Sequence, residues 1–155
     1  MGETLRQTPL AVALTGDLTR FTGRSRAIGY RWFADPSTRT IYAAQEHAFL
    51  GRLWVSGMRE VLSQRGRPSR AAELVDGLLG TNAEFTTLWE RQEVGLRPRG
   101  AKRFAHPELG ELEVECQTLV DPASTHSLLV YTAAPGSESY EKLELLGVIG
   151  QQTLR

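Results

Sequence analysis

The spacing of the apolar residues changes once along this chain, near residue 102, and this change constrains the fold more than any other feature. Between residues 43 and 65 the apolar positions advance by alternating steps of four and three, which is the period of an amphipathic helix. Beyond residue 102 apolar residues alternate with glutamates, which is typical of a strand with one buried side. The alternating residues are Leu112, Val114 and Cys116 against Glu111, Glu113 and Glu115. A block of helices followed by a block of strands predicts an α+β domain.

Proline and glycine mark the ends of the first helices. Pro9 opens a short helix that Gly16 ends, because proline suits a first helical position and glycine suits a C-terminal stop. The aromatic-rich segment 28–34 is followed by Asp35-Pro36, which is expected to act as an N-cap and a first helical residue. The longest helix is expected over residues 43–65.

Two further helices are expected before the strands. Ser69 caps the first of them, which Gly80 ends. Thr81 and Glu84 have the spacing of a capping box, in which each side chain bonds a free backbone N–H of the first turn. We therefore expect Thr81 to cap the next short helix.

The period of two predicts an antiparallel meander of three strands. The strands are expected at residues 102–106, 111–117 and 126–132. Short links rich in turn residues, 107–110 and 121–123, suit antiparallel hairpins. A terminal helix is expected after Ser137, with one apolar side formed by Leu143, Leu146 and Ile149.

Composition limits the class of protein. The chain has 155 residues with 18 basic and 18 acidic side chains, and a chain of this size buries roughly 70% of its unfolded surface without disulfides or metals. Zero net charge disfavours nucleic-acid binding by the chain as a whole. The N-terminus lacks a signal peptide, no apolar run could span a membrane, and the lone Cys116 fits a reducing compartment. A cytoplasmic protein without membrane contact is expected.

The neutral total conceals a charge gradient. Residues 1–70 hold 11 basic and 5 acidic groups, whereas residues 111–155 hold 2 and 7. One interpretation is a polar molecule in which basic helices face acidic strands. The other is a surface that binds an anionic ligand or a partner.

Residues for catalysis or metal binding do not form a recognisable motif. The three histidines share no ligand spacing with one another or with Cys116, and neither a phosphate-binding loop nor a G-x-S-x-G turn is present. Cys116 lies on the apolar side of its strand, where a thiol usually packs without reacting. No enzymatic activity, no metal and no cofactor is therefore expected.

Large aromatic residues on the helices either interlock in a core or line a pocket. Two arginines favour the pocket, because Arg59 flanks the apolar stripe of the long helix and Arg31 interrupts the aromatic cluster. A guanidinium at the edge of an apolar cavity could hold a carboxylate head group through two hydrogen bonds. The alternative for these arginines is an ion pair with the acidic strand.

Taken in order, several segments resemble one family. They are Gly29-Tyr30-Arg31-Trp32-Phe33-Ala34-Asp35-Pro36 with Arg39, the helix bearing Val55 to Arg59, Phe85-Thr86-Thr87-Leu88-Trp89, Glu93-Val94, His106-Pro107-Glu108-Leu109-Gly110, and Tyr131-Thr132-Ala133-Ala134-Pro135-Gly136-Ser137. This ordered set is similar to the C-terminal ligand-binding domain of the MmyB-like helix-turn-helix transcription regulators of bacteria, over nearly the whole chain. The resemblance implies a PAS-like antiparallel sheet covered on one face by helices, with an apolar pocket for fatty-acid-like ligands. It also implies a helix-turn-helix domain on the same polypeptide that contacts operator DNA.

The N-terminus departs from this family. No helix-turn-helix precedes Met1, and segment 7–10 is similar to the part of the family that follows the second strand. Residues 1–155 are therefore expected to form a single, N-terminally truncated sensor domain that lacks the first strand and makes no direct nucleic-acid contact. Because an incomplete sheet leaves backbone groups unpaired, self-association or local disorder is expected at that edge.

The expected function is sensing of an apolar small molecule with an acidic head group. The alternative is a stand-alone dimerisation or interaction module that binds no small molecule. The candidate ligand-binding residues are Tyr30, Arg31, Trp32, Phe33, Trp54, Met58, Arg59, Phe85, Trp89, Cys116 and Tyr131.

Overall fold

The protein has an α+β fold, as the change of apolar spacing predicts. A computed structural model describes residues 2–124 and 126–152, and it describes side chains as far as residue 148. Within these residues the chain forms two compact units. The helical unit comprises residues 1–7, 17–40 and 44–98, and the sheet unit comprises residues 8–16, 41–43 and 99–155.

Four helices form the helical unit within the described residues. They are α2 (Ile28–Ala34), α3 (His47–Arg65), α4 (Arg70–Leu79) and α5 (Ala83–Glu90), with 3₁₀ turns at Gly23–Arg26, Pro36–Arg39 and Ala44–Glu46. Asp35 accepts a hydrogen bond from the Ser37 N–H at 3.0 Å, and the Ser69 hydroxyl caps α4, so both predicted caps are confirmed. The helix α3 contacts α2, α4 and α5, which places it at the centre of this unit.

The predicted capping box is wrong. Asn82 caps α5, because its Oδ1 accepts a hydrogen bond from the Phe85 N–H at 2.8 Å. The Thr81 hydroxyl instead donates to the Gly77 carbonyl at 2.7 Å, which belongs to the last turn of α4. Asparagine is at least as good an N-cap as threonine, so Asn82, one position after Thr81, can cap the helix in its place.

The long helix begins at His47, four residues later than the spacing predicts. The Ala43 N–H donates to the Arg103 carbonyl at 3.1 Å, and the Ala105 N–H donates to the Ile41 carbonyl at 2.9 Å. Residues 41–43 therefore run beside the first strand, and their backbone cannot also be helical. The 3₁₀ turn at Ala44–Glu46 then leads into α3.

The sheet unit confirms the predicted meander. Its elements are α1 (Pro9–Thr15), β1 (Ala101–His106), β2 (Gly110–Val120), β3 (Ser127–Thr132) and α6 (Glu138–Gln152). The strands lie in the order β1-β2-β3, and both pairs are antiparallel. The helices α1 and α6 contact each other, and α6 also contacts β2. Leu146 of α6 is buried as expected, Leu143 is half-buried, and the side chain of Ile149 lies outside the described residues.

The strand β3 has a free edge. Among residues 2–124 and 126–152, β3 pairs with β2 on one side and with no strand on the other. The expectation that a first strand is missing from the sheet stays a prediction. The PAS-like arrangement of the family stays a prediction.

Candidate functional site

The candidate residues fall in both units. Nine belong to the helical unit, and the remaining two, Cys116 and Tyr131, belong to the sheet unit. Five of the nine are buried, namely Arg31, Trp32, Phe33, Met58 and Phe85, and four are half-buried, namely Tyr30, Trp54, Arg59 and Trp89. Each group is described below from its contacts.

Three aromatic residues of the helical unit form a continuous cluster. The rings of Phe33 and Phe85 meet edge to face with centroids 5.1 Å apart, and Phe85 stacks on Trp89 at 5.7 Å. Phe85 is fully buried between the two. Such ring pairs contribute about 0.5–1.5 kcal/mol beyond the area they bury, so these side chains hold α2 and α5 together.

Arg39, which was not among the candidates, fixes the position of Trp32. Its guanidinium lies 5.0 Å from the Trp32 ring, its Nε donates to the Trp32 carbonyl at 2.9 Å, and it binds both carboxylate oxygens of Glu84. The His47 ring packs edge-on against Trp32 at 5.5 Å, and a ring nitrogen lies 3.1 Å from the Arg39 carbonyl oxygen. The only sequence signal for Arg39 was its place after Asp35-Pro36 in the family motif.

Trp54 and Met58 pack against Gly29. A Cβ added at Gly29 would lie 2.7 Å from Met58 Cε and 3.6 Å from Trp54 Cβ, so α2 and α3 approach too closely for any side chain there. Trp54 Nε1 is buried and makes no hydrogen bond with any residue that the structure describes. Tyr30, one residue beyond Gly29, is half-buried beside Gly77 of α4.

Arg31 is buried, and its side chain binds the turn that precedes α2. Its side chain is 1% exposed, and its guanidinium donates to the carbonyl oxygens of Ser25 and Arg26. The same group lies 3.9 Å from the Phe21 ring centroid. Carbonyl acceptors and an aromatic face together compensate part of the desolvation of a buried cation.

Arg59 contacts Trp89 within the helical unit. Its Nη2 donates to the Trp89 carbonyl, and the guanidinium stacks 3.9 Å from the Trp89 ring centroid. The Nε–H of Arg59 is a buried donor that has no acceptor among the described residues.

Other arginines of the helical unit pair with carboxylates of the same unit. Arg52 binds Glu93 through two hydrogen bonds of 2.8 Å, and the hydrogen bond from this guanidinium lowers the pKa of Glu93. On the strands, Arg103 of β1 binds Glu113 of β2 at 2.7 Å. These pairs neutralise part of the basic charge within the protein, so that part of the charge gradient does not require a bound anion.

The sheet unit brings Cys116 and Tyr131 together with residues that were not predicted. Cys116 lies directly opposite Tyr131 in the register. The Tyr131 ring meets Phe104 edge to face at 5.4 Å, and Phe104 in turn lies 5.4 Å from Tyr42. Burial, then the nearby Tyr42 and the Cys116 thiol, raise the pKa of Tyr131, so its hydroxyl stays protonated. The period of two could have placed Phe104 on this face, but nothing in the sequence indicated Tyr42.

The tip of the hairpin between β2 and β3 is apolar and exposed. Four apolar side chains there are between 46% and 69% exposed, namely Leu119, Val120, Leu128 and Leu129. An open depression of about 390 Å³ lies at this tip. Its lining residues are Leu119, Val120, Asp121, His126, Ser127 and Leu128.

No side-chain cluster suited to a metal ion occurs among the described residues. Within the same residues, no helix has both the length and the apolar composition needed to cross a bilayer. Cys116, the free cysteine, is half-buried against Tyr131.

The chain belongs to the family described as the MmyB-like transcription regulator ligand binding domain. The model of that family matches residues 1–146 of the 155. The resemblance read from the ordered motifs is therefore confirmed. Comparison with curated proteins and with solved structures found no match.

Proposed function

We propose that this domain senses a fatty-acid-like molecule for a bacterial helix-turn-helix transcription regulator in the cytoplasm. The family match over residues 1–146 supports this most, because a ligand-binding domain implies a small-molecule partner. The domain would bind its ligand without converting it chemically. Contact with operator DNA would belong to a helix-turn-helix domain and not to these residues.

The candidate residues differ in how they could contact such a ligand. The half-buried members are Tyr30, Trp54, Arg59, Trp89, Cys116 and Tyr131. These side chains have surface that a ligand could cover without repacking. The buried members Trp32, Phe33, Met58 and Phe85 already touch other side chains, so a ligand would reach them only by displacing a neighbour.

Lipid carried through purification tests the proposal directly. Mass spectrometry under native conditions should show the protein with a bound carboxylic acid. Saturated acids of 12 to 18 carbons should raise Tm, and the rise should grow with the logarithm of the ligand excess. The corresponding methyl esters serve as controls for the acidic head group. Protein without bound lipid whose Tm none of these acids changes would contradict the proposal.

The free edge of β3 favours a second function, which is association of two copies. The strand Ser127–Thr132 has no charged residue, and Leu128 and Leu129 are 60% and 46% exposed. Natural edge strands usually carry charges, prolines or bulges that prevent pairing. Two copies of β3 could therefore pair in antiparallel orientation, with Leu129 or Val130 opposite its own copy on a two-fold axis.

Light scattering after size-exclusion chromatography tests the dimer. The wild type should move from monomer toward dimer as its concentration rises, and Leu128→Lys should remain monomeric. Val94→Lys is the matched control, because Val94 is also apolar and 65% exposed but lies in the helical unit. A wild type that stays monomeric up to high micromolar concentration would exclude this function.

A further inference from the structure

We infer that residues 92–97 form a releasable strap on helix α3, a conformational device that opens and closes while the helices of the helical unit stay folded. The strap follows α5 and ends shortly before β1, which begins at Ala101. The strap and α3 both belong to the helical unit. Its opening does not depend on which ligand the domain binds, so the strap and the proposed function are tested separately.

Three side chains of α3 hold the strap. They are four residues apart and therefore lie on one side of the helix, namely Arg52, Ser56 and Glu60. The Arg52 guanidinium donates two hydrogen bonds of 2.8 Å to Glu93. The Leu96 N–H donates to the Ser56 hydroxyl oxygen at 3.2 Å, and Arg97 donates to the Glu60 carboxylate at 3.0 Å. Each contact lies about one helical turn beyond the one before, so the strap runs along α3.

The order of charges gives the closed strap one register. Along α3 the basic Arg52 comes before the acidic Glu60, whereas along the strap the acidic Glu93 comes before the basic Arg97. Eight helical residues rise about 12 Å, and four extended residues reach at most about 14 Å, so both ion pairs can form at once. A strap displaced by one pair would place Arg97 beside Arg52, and two like charges repel each other. The closed strap therefore has a defined position and direction.

Most of the strap is exposed, which makes it easier to open than the helix beneath it. Glu93 and Leu96 are half-buried, and the other four residues of the strap are exposed, including Val94 at 65%. Ser56, beneath the strap, is 1% exposed. Segments with few buried apolar contacts open locally at a lower free energy than the core around them. Gln92, at the start of the strap, has a φ of 55°, a left-handed conformation that is unfavourable for a residue with a side chain and that opening would relieve.

The two ion pairs make the strap sensitive to its ionic surroundings. A hydrogen bond from Arg52 lowers the pKa of Glu93, and the hydrogen bond with Glu60 raises the pKa of Arg97, so both pairs are charged at neutral pH. Ion pairs near the surface are weak, and salt screens them. The closed and open straps are two discrete arrangements of one segment, and the ionic surroundings shift the balance between them.

Hydrogen exchange at the Leu96 amide, followed by NMR, tests the strap, because this N–H bonds Ser56 in the closed state. In the wild type it should exchange more slowly than in an unfolded peptide and faster than the amides in the middle of α3. Arg52→Glu should speed this exchange about threefold or more, as expected for loss of an exposed ion pair, and adding Glu93→Arg should restore the slower rate. Ser56→Ala removes the acceptor and should also speed the exchange, as should a rise in salt from about 0.05 M to about 1 M.

Arg67→Glu is the matched control, because it breaks an exposed ion pair of the same unit, with Asp76 at 2.9 Å, that lies outside the strap. It should leave the exchange at Leu96 unchanged. If Leu96 in the wild type exchanges as fast as in an unfolded peptide, or as slowly as the middle of α3, no releasable strap exists. If Leu96 responds neither to Arg52→Glu nor to Ser56→Ala, or if the α3 amides speed up together with it, the inferred local opening is wrong.

Discussion

The helical unit and the sheet unit use their polar and apolar groups differently. In the helical unit Trp32, Phe33 and Phe85 are buried in contacts with other rings. Three arginines of this unit, Arg31, Arg39 and Arg59, each contact a backbone carbonyl and an aromatic ring. In the sheet unit several leucine and valine side chains are exposed, and Lys102 has no carboxylate partner among the described residues.

This difference indicates separate roles for the two units, stability for the helical unit and binding for the sheet unit. Side chains that already pack against each other and fill each other's hydrogen bonds stabilise a fold, and they leave little surface for a ligand. Exposed apolar side chains contribute less to stability and are available for binding. We therefore expect substitutions in the helical unit to change stability and substitutions on the sheet to change binding.

The largest expected effect comes from making the same substitution, leucine to alanine, once in each unit. Leu74 is fully buried in α4, and Leu128 is 60% exposed on β3. Leu74→Ala should lower the free energy of unfolding by about 2–5 kcal/mol, because it leaves a cavity, while Leu128→Ala should change it by less than about 0.5 kcal/mol. Urea denaturation followed by circular dichroism measures both. Equal losses in the two variants would refute the comparison.

The next effect concerns the cap of α5. Asn82 accepts a hydrogen bond from the Phe85 N–H and donates one to the Phe33 carbonyl at 2.9 Å, so it joins α5 to α2. Asn82→Ala should cost about 1–2 kcal/mol of stability. Thr81→Ala, the control at the position predicted from the sequence, should cost less than half as much. If Thr81→Ala lost more stability than Asn82→Ala, the capping box predicted from the sequence would be supported instead.

A smaller effect should distinguish the arginines of the two units. Arg39 bonds a carbonyl, binds Glu84 through two nitrogens and stacks on Trp32, whereas Arg103 makes one exposed pair with Glu113. Lysine cannot reproduce a two-nitrogen contact or a stacked guanidinium. Arg39→Lys should therefore cost about 1 kcal/mol, and Arg103→Lys should be almost neutral. Thermal unfolding of both variants in the same buffer makes the comparison.

The smallest effect is a pH dependence of the sheet unit. The folded protein raises the pKa of Tyr131 above its ordinary value of 10.0. The protonated phenol is therefore favoured in the folded state, and this contribution is fully present below pH 10 and is lost as the pH rises toward the folded pKa. The difference in unfolding free energy between the wild type and Tyr131→Phe should stay constant up to about pH 10 and shrink as the pH rises above that value. A difference that stays constant above that value as well would show that Tyr131 titrates normally.

Local patterns predicted most of the secondary structure. Pro9, Gly16, Asp35-Pro36 and Ser69 mark helix ends where the structure has them, because capping and turn geometry depend on a few adjacent residues. The period of two located β1, β2 and β3 to within a few residues. Where two neighbours could both cap a helix, as with Thr81 and Asn82, the local pattern was not sufficient.

The candidate site was less predictable than the elements. The sequence indicated which residues were large, aromatic or basic, but not which of them touch. Trp32 and Phe85 proved to be buried in contacts with other side chains, and Arg31 proved to bind the turn before α2. The contact of Tyr42 with Phe104 was missed, because it joins residues some sixty positions apart.

The sequence by itself therefore determined the α+β class, the helix caps apart from that of α5, and the family, since each depends on spacing or on an ordered set of motifs. Only the tertiary structure decided that the chain forms two compact units, that residues 41–43 join the sheet, and that Lys102 lies beside Tyr131. Contacts of this kind join residues far apart in the chain. They depend on register and burial, which no local pattern specifies.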